Sequence, residues 1–144
     1  MDVRMKDPYA TIGFALKQAQ QALRTRMDAE LRKIALTTPQ YAVLAYLNIE
    51  PGASNAALAR QAFVTPQTMQ AILVTLEKSG FIKRTPHPEH GRMQKTELTP
   101  SGEHALHAAS AIVADIEALL VDAAAPLNPQ VVATTLIRFA NALR

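Results

Sequence analysis

Residues 55–84 read NAALARQAFVTPQTMQAILVTLEKSGFIKR. Two amphipathic stretches meet there at a short joint, VTP. The pair Thr65-Pro66 marks a helix start. The threonine hydroxyl can accept from an orphan backbone N–H, and proline at the first helical position lacks an N–H that would have had no partner. Beyond it Met69, Ile72, Leu73 and Leu76 recur at helical spacing and are expected to face inward. Gln67, Thr68, Gln70, Ala71 and Thr75 are left outward. Gly80 stands where a residue just past a helix C-terminus is expected. Before the joint, NAALARQAF fits a short helix, entered through the turn EPGAS with Ser54 as its cap. A short helix, a tight turn and a second amphipathic helix make a helix-turn-helix.

Working outward, FIKR (81–84) and MQKTEL (93–98) are short and partly alternating, and they flank the loop RTPHPEHGRMQK (84–95). They predict a two-stranded hairpin, a wing directly after the second helix. A hairpin this small must lean on a helix. Five prolines follow a capping residue: Asp7-Pro8, Thr38-Pro39, Thr65-Pro66, Thr99-Pro100 and Asn128-Pro129. They propose five helix starts, with apolar stripes after each. The expected fold class is mainly α: a winged helix-turn-helix lobe over 36–99, with a helical dimerisation region drawn from both termini, 8–34 and 100–144. All of it forms one domain of 144 residues. Helices 8–34, 100–123 and 128–143 carry more apolar stripe than one small lobe can bury, which predicts a homodimer.

Composition narrows the chemistry. There is no cysteine, which excludes disulfides, thiol catalysis and thiolate metal sites and fits a reducing cytoplasm. No signal core and no stretch approaching the ~20 apolar residues of a membrane span is expected. Residues 51–98 hold six basic and three acidic residues, whereas 99–127 hold four acidic and no Lys or Arg. A basic middle beside an acidic segment suggests a face that meets a polyanion. In a helix-turn-helix the second helix enters the major groove with its N-terminal residues at base edges. Gln can pair bidentately with adenine, Thr can bond either kind of base, and Thr or Ala methyls can touch thymine. The start of that helix, at Thr65, also offers free N–H groups to a phosphate. The expected partner is double-stranded DNA.

The segments LTTPQYAVLAYL (36–47), 55–84 and HPEHGRMQKTELTPSG (87–102) resemble the multiple-antibiotic-resistance regulator (MarR) family of winged-helix transcription factors. The resemblance implies a homodimer in which the first helix and the last two intertwine, each lobe reading half of a pseudo-palindromic site. It also implies a repressor relieved by a small molecule held between dimer base and lobe. A small aromatic or phenolic effector is expected, with Phe14, Lys17 and Tyr41 as lining residues that combine aromatic surface with polar tips. Within the wing, Pro86 and Pro88 stiffen the tip, Gly91 permits the turn and Arg92 is the residue to place in the minor groove. Two departures stand out. His90 occupies a position that is usually Asp in the family, and Ala71 and Thr75 stand where the family often has arginines. Lys78, Arg84, Arg92 and Lys95 are expected to supply the phosphate contacts instead.

Metal sensing is the rival reading. The four histidines fall in two pairs of equal spacing, His87/His90 and His104/His107. The second pair shares a helix face at i, i+3 beside Glu103, so a zinc-responsive regulator could use His104 and His107. The simpler reading makes them polar surface residues, since no sulfur and no clear third ligand is present. A winged helix used for protein contact is the remaining binding class. An enzyme is not expected: there is no Gly-rich phosphate loop, and the pairs Asp28/Glu30 and Asp115/Glu117 point apart on a helix. No cofactor is implied.

Overall fold

The computed structural model describes residues 7–89 and 94–144. After a short 3-10 turn at Pro8–Ala10 come α1 (Ile12–Arg32), α2 (Thr38–Ile49), α3 (Asn55–Ala62) and α4 (Pro66–Lys78). The wing strands β1 (Ile82–Pro86) and β2 (Gln94–Leu98) follow, then α5 (Pro100–Ala124) and α6 (Pro129–Ala142). The fold class is the expected one, a winged helix-turn-helix with long terminal helices.

The caps do what their chemistry dictates. The side chains of Ser54, Thr65, Thr99 and Asn128 accept from backbone N–H groups in the first turns of α3, α4, α5 and α6. Two starts differ from expectation. Asp7-Pro8 opens only the 3-10 turn, and α1 begins at Ile12 rather than at residue 8. Thr11 is extended there, and its hydroxyl accepts from the Phe14 N–H at 2.9 Å. A β-branched residue with a local acceptor thus restarts the helix instead of continuing it. At α2 the cap is Thr37, not Thr38. Thr37 and Gln40 form a reciprocal capping box. Thr38 is thereby released to donate to Asp28 Oδ1 at 2.6 Å, which ties the start of α2 to α1.

The core lies inside the lobe. Leu44, Leu58, Met69 and Leu73 are fully buried, with Val43, Leu47, Leu76 and Ile82 nearly so, and Leu31, Leu106 and Ala109 close it from α1 and α5. The antiparallel wing pairs Ile82 with Leu98 through Pro86 with Gln94. β1 therefore runs two residues beyond Arg84, and Pro86 ends a strand rather than belonging to the tip. Proline is tolerated there because each strand of a two-stranded sheet has a free edge. The wing is also stitched to the α2–α3 turn by the Gly52 N–H, which donates to the Thr96 carbonyl at 2.9 Å.

Two features of the long helices stand out. Thr99 donates its N–H to the Phe81 carbonyl at 3.1 Å and its hydroxyl to the Gly80 carbonyl. Gly102 packs against the same Phe81 peptide, so closely that a Cβ would lie 2.0 Å from the carbonyl oxygen. The second feature is unburied apolar surface. α6 has no buried residue, and Leu136, Ile137 and Leu143 are exposed, as are Leu119 and Leu120 on α5 and Ile12 on α1. Contrary to the expectation from sequence, α5 is long and apolar enough by length and composition to cross a membrane, an 18-residue stretch of it having mean hydropathy 1.4. It nevertheless packs on α1, α2 and the wing, and it carries Asp115 and Glu117 in its middle.

Candidate nucleic-acid interface

α4 presents the face that its spacing predicts. Met69, Leu73 and Leu76 are buried, whereas Gln67, Thr68, Gln70, Ala71, Thr75 and Lys78 are exposed. The helix start is less open to an anion than expected. Pro66 has no N–H, Thr65 Oγ1 accepts from the Thr68 N–H at 3.1 Å, and the Thr65 carbonyl accepts from Met69 N–H at 2.9 Å. Among the described residues this leaves Gln67 with the one unpaired N–H of the first four positions of α4. Thr75 donates its hydroxyl to the Ala71 carbonyl at 3.2 Å, so toward a ligand it offers lone pairs and a methyl rather than a proton.

The basic residues divide into three kinds. Lys78 is exposed on the last turn of α4 and makes no ion pair among the described residues. Lys95 pairs with Glu97 at 2.9 Å, with both side chains about half exposed, a surface pair of small energetic weight. Arg84 differs from both. Its side chain is only 12% exposed. It donates from Nη1 to Gln70 Oε1 at 3.2 Å and from Nη2 to Glu77 Oε1 at 3.4 Å. Its guanidinium is turned onto α4 rather than outward, so the structure gives it a bracing position instead of the phosphate-facing one expected. Arg92, with His90 and Gly91, lies outside the described residues.

Asn55 completes this group. From the first position of α3 it donates Nδ2 to the same Gln70 Oε1 at 2.9 Å. Sequence reading placed Asn55 and Glu77 outside the site. The only local hint was an Asn directly after a serine cap, since both partners of Gln70 come from elements distant in the chain.

The predicted effector residues are not gathered within one copy. Phe14 is exposed and meets Tyr9 edge-on, ring centroids 4.6 Å apart. Lys17 is exposed, and Tyr41 is half-buried against the core. The reason is geometric. α2 starts beside Asp28, and the helix from residue 14 to residue 28 spans about 21 Å. One concavity of about 150 Å³ lies between α1 and α5, lined by Arg26, Glu30, Ile112, Asp115, Ile116 and Leu119. Glu30 accepts from Lys33 Nζ at 3.0 Å, and this bond, with the nearby Arg26, holds its carboxyl below the ordinary value. A wider one of about 550 Å³ lies on α6 around Arg138 and Phe139. Neither includes Phe14, Lys17 or Tyr41. His104 and His107 are both exposed on α5, and the described residues contain no group of three or more His, Asp or Glu side chains placed to hold a metal. In the wing, His87 Nδ1 accepts from the Glu89 N–H at 3.1 Å.

Similarity to known proteins agrees with this geometry. A sequence model described as the MarR family matches residues 36–93. The HTH-type transcriptional repressor Rv2887 of Mycobacterium tuberculosis (strain ATCC 25618 / H37Rv) is 36% identical over 104 residues, which cover 72% of this chain and 75% of the repressor. A solved structure of the Mycobacterium tuberculosis MarR family protein Rv2887 in complex with salicylic acid aligns at TM-score 0.68 and 32% identity, covering 94% of this chain and 97% of that one. The transcriptional repressor CouR bound to a 23-mer DNA duplex aligns over the whole of both chains at TM-score 0.81 and 26% identity. The fold, the matched winged lobe and the mycobacterial repressor together place this chain in the MarR family.

Proposed function

We propose that the chain is a DNA-binding transcriptional repressor that acts as a homodimer on a pseudo-palindromic duplex and is released by a small aromatic acid. The observation that carries this is α4: an exposed polar face on the second helix of a winged helix-turn-helix, in a fold shared with the repressor CouR, which has been solved on a 23-mer DNA duplex. Gln67, Thr68, Gln70, Ala71 and Thr75 face base edges, with Thr65 closing the start of the helix. Lys78 and Lys95 meet phosphates, and Arg92 enters the minor groove. The apolar faces of α1, α5 and α6 form the dimer base, so 8–34 and 100–144 serve assembly and 36–99 serves recognition. This is a regulator of the cytoplasm and not an enzyme.

The salicylic acid held by the mycobacterial relative motivates the effector class. Phe14 and Lys17 at the amino end of α1, together with Tyr41, line that site once two copies are assembled. A metal-responsive regulator built on His104 and His107 has no specific observation in its favour.

The test is duplex binding from a randomised library, at two salt concentrations, with and without salicylate. Enrichment of an inverted repeat, affinity that falls with salt and release by salicylate are the expected results. Arg92→Ala should lower the salt slope by about one ion, whereas Gln67→Ala should keep the slope and blunt discrimination at one position. Salt-independent binding with no enriched sequence would leave the winged lobe as a protein-contact module.

A further inference from the structure

Gln70 is held in one orientation by two donors from different elements. Asn55 Nδ2 on α3 and Arg84 Nη1 on β1 both donate to Gln70 Oε1, at 2.9 and 3.2 Å. Arginine carries only donors. The Gln70 atom that faces Arg84 must therefore be the oxygen, whichever way the amide would otherwise be assigned. Glu77 holds the other arm of the guanidinium at 3.4 Å, and the low exposure of Arg84 keeps it from swinging away. A carbonyl oxygen has two lone-pair directions, and both are taken.

Resting on the DNA-binding reading above, we infer that Asn55 and Arg84 set the base preference of Gln70 by leaving it only its NH2 group to present to a duplex. A glutamine that reads adenine bidentately must accept from the adenine amino group while donating to N7. With its acceptor occupied, Gln70 can satisfy only acceptor edges. In the major groove the edges that carry acceptors and no amino donor are guanine, with O6 and N7, and thymine, with O4. Cytosine projects only an amino donor, and adenine offers a single acceptor, N7, beside its amino donor, so the Gln70 amino group is opposed by cytosine and only half matched by adenine. Gln70 is thus a specificity-determining residue for guanine or thymine, and Arg84 and Asn55 are positioning residues that act through it. This replaces the adenine pairing that the residue type alone suggested.

The experiment compares the full-length wild type with Gln70→Glu and Arg84→Met on a duplex library randomised across the half-site. In Gln70→Glu one carboxylate oxygen still receives Asn55 and Arg84, and the other points outward as an acceptor. The preference at one half-site position should invert from guanine or thymine to cytosine or adenine, a change of about tenfold or more in relative affinity. In Arg84→Met the Gln70 oxygen regains a free lone pair, and adenine should rise at that same position. A merely structural role for Arg84 would weaken all sequences alike and leave the base ratios unmoved. If the wild type enriches a sequence but prefers adenine or cytosine at the position that Gln70→Glu alters, or if no position responds to Gln70→Glu, the inference is overturned and the regulator reading stands. If the wild type enriches no sequence at all, the regulator reading itself has failed, and this inference with it.

Discussion

Leu73, midway along α4, is fully buried, whereas Ile137, midway along α6, is 60% exposed. Both sit on amphipathic helices of similar length, and either sequence alone reads as a core helix. The difference lies in what surrounds them. α4 is enclosed by α2, α3 and the wing of its own chain. Among the described residues α6 packs chiefly on α5 and leaves Leu136, Ile137 and Leu143 open. Apolar periodicity states that a face will be covered and is silent on whether the same molecule covers it. The lobe closes within one chain, and the terminal helices call for a second.

The largest expected effect falls on the open region. Ile137→Asp places a carboxylate in each copy's share of the proposed interface. It should weaken self-association by at least about a hundredfold, since an unpaired buried charge costs about 3–5 kcal/mol. Sedimentation across a concentration series reads this directly, and an unchanged assembly would remove α6 from the interface. Leu73→Ala strikes the closed region. It should cost about 2–5 kcal/mol in chemical denaturation, most of it insensitive to protein concentration because the hole lies within one chain. If that loss instead grew on dilution, the lobe would not be self-contained.

Gly102→Ala acts where the two regions join. A methyl there cannot avoid the Phe81 carbonyl without moving backbone, so a loss of about 1–3 kcal/mol is expected. Ser101→Ala, at an exposed neighbouring position, serves as the control that should be nearly silent in the same denaturation series.

The smallest effect is a pH dependence on α1. The Lys33 hydrogen bond lowers the Glu30 carboxyl in the folded state. A depressed folded value means stability that is present above the unfolded value, about 4.3, and lost as pH falls through the folded one. Glu30→Gln should therefore reduce stability slightly above that window and match the wild type below it. Equal pH profiles from 5 down to 3 would show that the bond with Lys33 does not persist in solution.

What was legible in the sequence was local. Thr65-Pro66, Thr99-Pro100 and Asn128-Pro129 identify their helix starts because the capping oxygen and the N–H that donates to it lie within three residues of each other. The inward stripe of α4 was equally plain. The misreadings came where two local solutions compete. Thr37 and Thr38 can both cap, and only the choice of Asp28 as partner for Thr38 decides between them. The fate of Arg84 was not legible at all. Its residue type and place in a basic wing suggested a phosphate, but Gln70 lies fourteen residues away, and nothing short of the packed hairpin brings them together. Phe14, Lys17 and Tyr41 failed to converge for the matching reason: helix length separates them within one copy.

The seat of Gly102 on Phe81 has a mechanical consequence. Side-chain contacts between helices can slip from one rotamer to another, but here backbone rests on backbone, and Thr99 is fastened to two successive carbonyls beside it. The foot of α5 and the junction between α4 and β1 therefore move as one piece. A helix of 25 residues is about 37 Å long, so a tilt of about 5° about its far end carries its foot through about 3 Å. In the proposed dimer, whatever tilts α5 is thereby geared to the position of α4, with a ratio fixed by the length of the lever.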